Sequence, residues 1–186
     1  MSRYFFTSDT HFGNRRILEH CDRPFDSVEE MDATLIKNWN KVIDPKDYVY
    51  HLGDFGNTDL LYNQSIFDQL NGRKYLIKGN HDTNNARPSG WVWVKDTAMV
   101  QIQKQYIWLS HYPHRLWNCA GKGVWHLFGH VHRNKGEYWL SFNVGVDAWD
   151  FRPISFEQVE KYMKKISYLP LSSVDVLGDL MGEEEF

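Results

Sequence analysis

The chain has 186 residues, 42% of them hydrophobic, and a formal net charge of −3. That length suits one domain with a real core, and the charge gives no general pull toward nucleic acid or an anionic membrane, so any contact with phosphate must be local. Cys21 and Cys119 form neither a zinc pattern nor a disulfide framework, no apolar run approaches the ~20 residues of a membrane span, and "MSRYFFTSDTHF" lacks a signal-peptide stretch, so a reducing, cytoplasmic setting is expected.

In chain order, "RYFFTSD" (3–9) reads as a strand that ends in polar residues. "SVEEMDATLIKNWNKVI" (27–43) is the clearest helix: Ser27 and Glu30 have capping-box spacing, and Val28, Met31, Leu35, Trp39 and Val42 keep helical period. "DYVYHL" (47–52) follows as a strand, then a weaker helix at 58–70, then the strand "RKYLIK" (73–78). Beyond it the rhythm turns to short strands: "WVWVKD", a hairpin over 98–110 around "QKQ", "VWHLFGHVH" and "YWLSFNVGV" (138–146). An amphipathic helix over 155–166 closes a single domain spanning 1–168, and the acidic segment 169–186 is expected to fray. The pattern predicts an α/β domain with a mixed sheet or two sheets packed face to face.

Polar residues gather in five places, each at or just after a predicted strand: "SDTH" (8–11), "LGDFG" (52–56), "GNHD" (79–82), "SHYPH" (110–114) and "FGHVH" (128–132). Ligands of open α/β sheets sit beyond the carboxyl ends of strands, so these loops are expected to converge. They offer Asp9, His11, Asp54, Asn80, His81, Asp82, His111, His130 and His132. Carboxylate and imidazole without thiolate suit Mn²⁺, Fe or Zn²⁺ rather than a structural zinc site. Asp9/His11 and His130/His132 are i, i+2 pairs, whose side chains share a face if the backbone is extended. So many ligands exceed the needs of one ion; two ions joined by a carboxylate are the natural count. Two such ions turn a bridging water into hydroxide, which attacks a bound phosphate in line. A histidine outside the ligand set would then protonate the leaving oxygen, and His81 is the candidate, with Asp82 placed to orient its ring. Any one of these motifs alone is an ordinary strand-end turn; five in order are not. His51 and His126 lie inside strands and read as structural, and His20 as a surface residue.

The series Asp9-x-His11, Gly53-Asp54, Gly79-Asn80-His81-Asp82, His111 and Gly129-His130-x-His132 resembles the signature of the calcineurin-like metallophosphoesterases, in the manner of small bacterial and phage-type members. The resemblance implies a two-sheet β-sandwich of mixed strands flanked by helices, with two divalent ions at one edge: Mn²⁺ foremost, with Fe, Zn²⁺ or Ni²⁺ also accommodated. Asp9, His11 and His132 would hold the first ion, Asp54 would bridge, and Asn80, His111 and His130 would complete the second site. His81 would be the catalytic histidine. The Asn and Asp of "NVGVDAWDFRPIS" (143–155) would support the metal edge.

Arg15 and Arg16 follow the first loop directly and are candidate phosphate clamps, as are His114 and Arg115 beside His111. Tyr112 and Trp117 in the same stretch suggest stacking on a base. The expected activity is hydrolysis of phosphate esters, chiefly diesters of nucleotides or nucleic-acid ends, with no membrane partner and the oligomeric state left open. The alternatives are a scaffold that kept the fold without turnover, and a phosphomonoesterase or phosphoprotein phosphatase.

Overall fold

The computed structural model describes residues 2–132 and 139–166. Nine strands and four helices run in the order β1 (Tyr4–Thr7), α1 (Arg16–His20), α2 (Val28–Val42), β2 (Tyr48–His51), α3 (Leu60–Phe67), β3 (Arg73–Ile77), β4 (Val94–Lys95), β5 (Thr97–Ile102), β6 (Gln105–Ser110), β7 (Trp125–Phe128), β8 (Ser141–Asn143), β9 (Ile154–Ser155) and α4 (Phe156–Met163). They make a five-stranded sheet, β4-β3-β2-β1-β9, and a four-stranded sheet, β5-β6-β7-β8. In the first sheet β1 to β4 are parallel and β9 is antiparallel to β1. In the second, the β5–β6 hairpin is followed by parallel pairing of β6, β7 and β8.

Successive side chains of a strand leave on opposite faces, and this divides the core in two. Phe6, Tyr50 and Ile77 face the second sheet, where they meet Ile107, Leu109, Leu127 and Phe142. Phe5 and Val49 face the other way, onto Met31, Leu35 and Trp39 of α2 and Ile66 and Phe67 of α3. Two sheets therefore pack face to face, and helices cover the outer face of the larger one.

Local sequence accounts for the helix starts. Ser27 accepts the Glu30 backbone N–H at 3.1 Å, yet Glu30 reaches back to the N–H of Asp26, at 2.8 Å, and not to that of Ser27. Half of the expected capping box is thus displaced by one residue. The complete box lies at α4, where Ser155 and Gln158 exchange both bonds. Four elements differ from the sequence reading, the first being "WVWVKD", of which only Val94–Lys95 is a strand. The 138–146 strand shrinks to β8, because Trp139 takes a φ of 51° and a 3₁₀ turn begins at Val146; Tyr138 lies outside the described residues, as does the segment 169–186. The strand "VWHLFGHVH" stops at Phe128. The short α1 carries no side-chain cap, which explains why nothing in the sequence marked it.

Candidate metal centre

Parallel pairing aligns the carboxyl ends of β1, β2 and β3 in one sheet and of β6 and β7 in the other. The loops that leave these ends are stitched together by backbone bonds: Asp9 N–H to Gly53 O at 2.9 Å, His11 N–H to Asp54 O at 3.0 Å, and Gly129 N–H to His111 O at 2.9 Å. The two sheets meet at the same edge, where the His130 N–H donates to the Asp9 carboxylate at 2.9 Å. Gly53, at a φ of 101°, passes so close to the His111 ring and to Gly79 that a Cβ there would collide with both.

Five of the expected ligands adopt positive φ: Asp9 at 58°, His11 at 49°, Asp54 at 57°, His130 at 70° and His132 at 49°. Each such residue costs of order 1 kcal/mol or more, and strain of this kind gathers at functional sites. It also corrects the premise that the i, i+2 pairs are extended. Asp9 and His11 come together through left-handed turns. His130 and His132 diverge: the His132 ring stacks 5.5 Å from His11, whereas the His130 ring lies 5.1 Å from His111.

Two groups of ligand atoms result. Asp9, His11 and His132 form one, with their atoms within 4.8 Å of one another; Asp9, Asp54 and His111 form the other. Asp54 lies between the groups, its Oδ2 3.6 Å from His11 Nε2 and 3.5 Å from His111 Nε2. Asn80 Oδ1 joins the second group at 3.1 Å from His111 Nε2. His111 sets its Nδ1 against the Leu52 carbonyl at 2.8 Å, and His132 sets its Nδ1 against Asp147 at 2.9 Å. In each case the outward bond fixes the ring and turns Nε2 toward the other ligand atoms, as for histidines that bind metal.

The electrostatics of the cluster are divided: against burial, which would lower both, the bond to Asp147 raises His132 to about 10 and Asp54 raises His111, so in the metal-free protein these rings hold protons that a cation must displace. Burial pushes Asp9 up to about 6 despite the nearby His111 and His132. Burial would raise Asp54 too, but the bonds with His111 and the His81 N–H outweigh it and hold the carboxyl down at about 2. Burial lowers His11 to about 3, so its ring is neutral at pH 7. Both of its ring nitrogens are buried and make no hydrogen bond. A buried imidazole with two idle nitrogens, facing two carboxylates, is an unpaid cost without a cation and an ordinary ligand with one. The residues present therefore fit divalent metal. A third grouping, Cys21 with His132 and Asp147, does not, because both Asp147 oxygens are engaged by Arg23.

The cleft over these groups has a volume of about 990 Å³ and is lined by His11, Arg15, Arg16, His81, His130 and His132, among others. His81 is exposed, with its ring 5.2 Å from His11 and its N–H on Asp54 Oδ1 at 2.8 Å. The role expected of Asp82 is corrected. One of its oxygens accepts the N–H groups of Asp54 and Gly79, both at 2.8 Å, and the other that of Phe55 at 3.0 Å. The carboxylate is thus occupied in clamping two loops and does not hold the His81 ring. His114 accepts from Trp108 Nε1 at 3.3 Å and stacks on His126, and neither it nor Arg115 is among the residues lining the cleft. His20, read as a surface residue, is exposed but lines the cleft, its ring 6.4 Å from His132. His51 and His126 are fully buried, in agreement with a structural role.

The calcineurin-like phosphoesterase superfamily domain matches residues 3–146, and the chain belongs to that superfamily. The two mixed sheets flanked by helices are its fold. The chain is similar to an uncharacterised protein of Methanocaldococcus jannaschii, with 33% identity over 174 residues that span 89% of this chain and 93% of the relative. It is also similar to the gene 66 protein of Mycobacterium phage L5, with 29% identity covering 80% of this chain and 88% of that protein. Among solved structures, a protein of unknown function from Aquifex aeolicus superimposes with a TM-score of 0.72 at 27% identity, covering 87% of this chain and all (100%) of its own. Among the described residues, no helix is long and apolar enough to cross a membrane.

Proposed function

We propose that this protein is a two-metal phosphodiesterase acting on nucleotides or nucleic-acid ends. The observation that carries the reading is the pair of ligand groups with Asp54 between them, beside an exposed His81 in an open cleft. Bound divalent ions would supply an activated water and neutralise phosphate oxygens.

The residues divide the remaining work. Asp9, His11 and His132 would hold one ion and Asn80, His111 and His130 the other, with Asp54 placed between them. The His81 ring, free of any carboxylate partner, faces the cleft where it can give a proton or a hydrogen bond to the leaving oxygen. Arg15 and Arg16 line the same cleft and can receive a phosphate in fork geometry. At about 990 Å³ the cleft is at the upper end of small-ligand sites and far larger than a phosphate, which favours a substrate with substantial groups attached.

The test strips the protein with chelator, restores Mn²⁺, and compares bis-p-nitrophenyl phosphate with p-nitrophenyl phosphate. Faster Mn²⁺-dependent release from the diester is expected, with His81→Ala lowering turnover by about 10²-fold or more while metal binding persists. Absence of release from either compound, with metal bound, would refute a broadly acting diesterase and leave a highly selective enzyme or a scaffold.

A further inference from the structure

One anchor reaches all three members of the first ligand group, and of the second only the shared Asp9. Arg23, in the turn after α1, is only 5% exposed. Its Nε and Nη2 grip the two oxygens of Asp147, each at 2.8 Å. Nη2 also donates to Asp9 O at 2.6 Å, and Nη1 to Thr10 O at 2.9 Å and to Met31 Sδ at 3.3 Å. A guanidinium has five N–H bonds in a rigid plane, and here all five have a partner.

Those partners have a common consequence. The carbonyls of Asp9 and Thr10 belong to the left-handed turn that brings Asp9 and His11 together. Asp147 accepts the Nδ1–H of His132. One side chain therefore sets the backbone of two ligands and, through Asp147, the ring of the third. Asp9 is common to both groups, but the other members of the second are held by other means: His111 by Leu52 O, and the Asn80 turn by Asp82. The Asn143 amide, which donates to His132 O at 2.8 Å, supports the same loop through its backbone.

We infer that Arg23 is the positioning residue of the first metal site, acting on Asp9 and His11 through their backbone and on His132 through Asp147. The inference rests on the two-ion reading of the centre but not on turnover. An Arg23 that merely stabilised the fold would weaken both ions alike or neither. A positioning Arg23 weakens one more than the other.

The experiment titrates Mn²⁺ into the chelator-stripped full chain by calorimetry, for wild type, Arg23→Lys, Asp147→Asn and the double variant, with far-UV circular dichroism on each. Lysine keeps the charge but cannot fork, and asparagine keeps the volume but loses the charged acceptor. Wild type is expected to bind two ions. Each single variant should bind one ion about 10- to 100-fold more weakly, the range for residues that orient metal ligands, with the other ion, which shares only Asp9, weakened by a clearly smaller factor. The double variant should be no worse than the weaker single one, because both changes cut the same chain of contacts. Equal weakening of both ions, no weakening in folded variants, or a wild type that binds one ion would overturn the inference. Removing one partner of a buried ion pair is strongly destabilising, so if Arg23→Lys does not fold, Asp147→Asn decides by the same criteria. Selective weakening without hydrolysis of any phosphate ester would sink the proposed function and leave the role of Arg23 standing.

Discussion

Replacing Asp82 by alanine distinguishes a carboxylate that orients His81 from one that clamps the loops. The clamp consists of three bonds to backbone N–H groups of Asp54, Gly79 and Phe55. Bonds to a charged acceptor contribute roughly 1.5–3 kcal/mol each, but Asp82 is half-buried and water can re-solvate part of the turn. Taking about 1 kcal/mol for each bond gives a loss of about 3 kcal/mol, which a domain of 5–15 kcal/mol tolerates. With a urea slope of roughly 2 kcal/mol/M, the unfolding midpoint of the metal-free protein should fall by about 1.5 M. Asp82→Asn keeps one oxygen and should lie between alanine and wild type. The assay is urea unfolding of the three proteins beside their pH–rate profiles on the diester. A midpoint unchanged within about 0.3 M, together with a 10²-fold fall in turnover and a shifted basic limb, would show that Asp82 serves the His81 ring after all.

His126 provides a pH prediction. Its ring is buried between Ser110 Oγ and Ser141 Oγ, both at 2.7 Å, and burial lowers its pKa to about 3. The folded value lies below the unfolded 6.5, so its contribution is full above pH 6.5 and is lost as pH falls toward 3, at about 1.4 kcal/mol per unit. Between pH 7.5 and 5 the wild type should lose about 2 kcal/mol that His126→Gln does not lose, and a constant gap between their urea midpoints would contradict this. Metal should also stabilise the fold: Mn²⁺ at about 100 times its Kd is expected to add about 2.7 kcal/mol to the stripped protein for each ion bound, less in His11→Ala, and a melting temperature indifferent to Mn²⁺ would refute the ligand assignment.

The family and the polar residues of the centre were legible in the chain itself. Those residues fall in short motifs of two to five positions, and strand ends are recognisable because hydrophobic period 2 stops where the polar run begins. It also separated His51 and His126 from the ligands, since both stand inside apolar strands. The resemblance also led to Asn143 and Asp147, which do meet His132, but the arginine that ties Asp147 to the first loop was not legible. Arg23 and Asp147 are 124 positions apart, and "CDRPF" carries no spacing that marks its arginine. The same limit misled the reading of Asp82, whose neighbour in sequence is His81 but whose partners in space include Asp54 and Phe55. Backbone conformation was hidden as well, because the strain of positive φ at Asp9, His11, Asp54, His130 and His132 is held by the surrounding packing rather than favoured locally. Residue types and spacing announce which groups can bind metal; only the packing of the two sheets against each other decides where those groups point, because hydrogen bonds between distant loops leave no periodic trace in the chain.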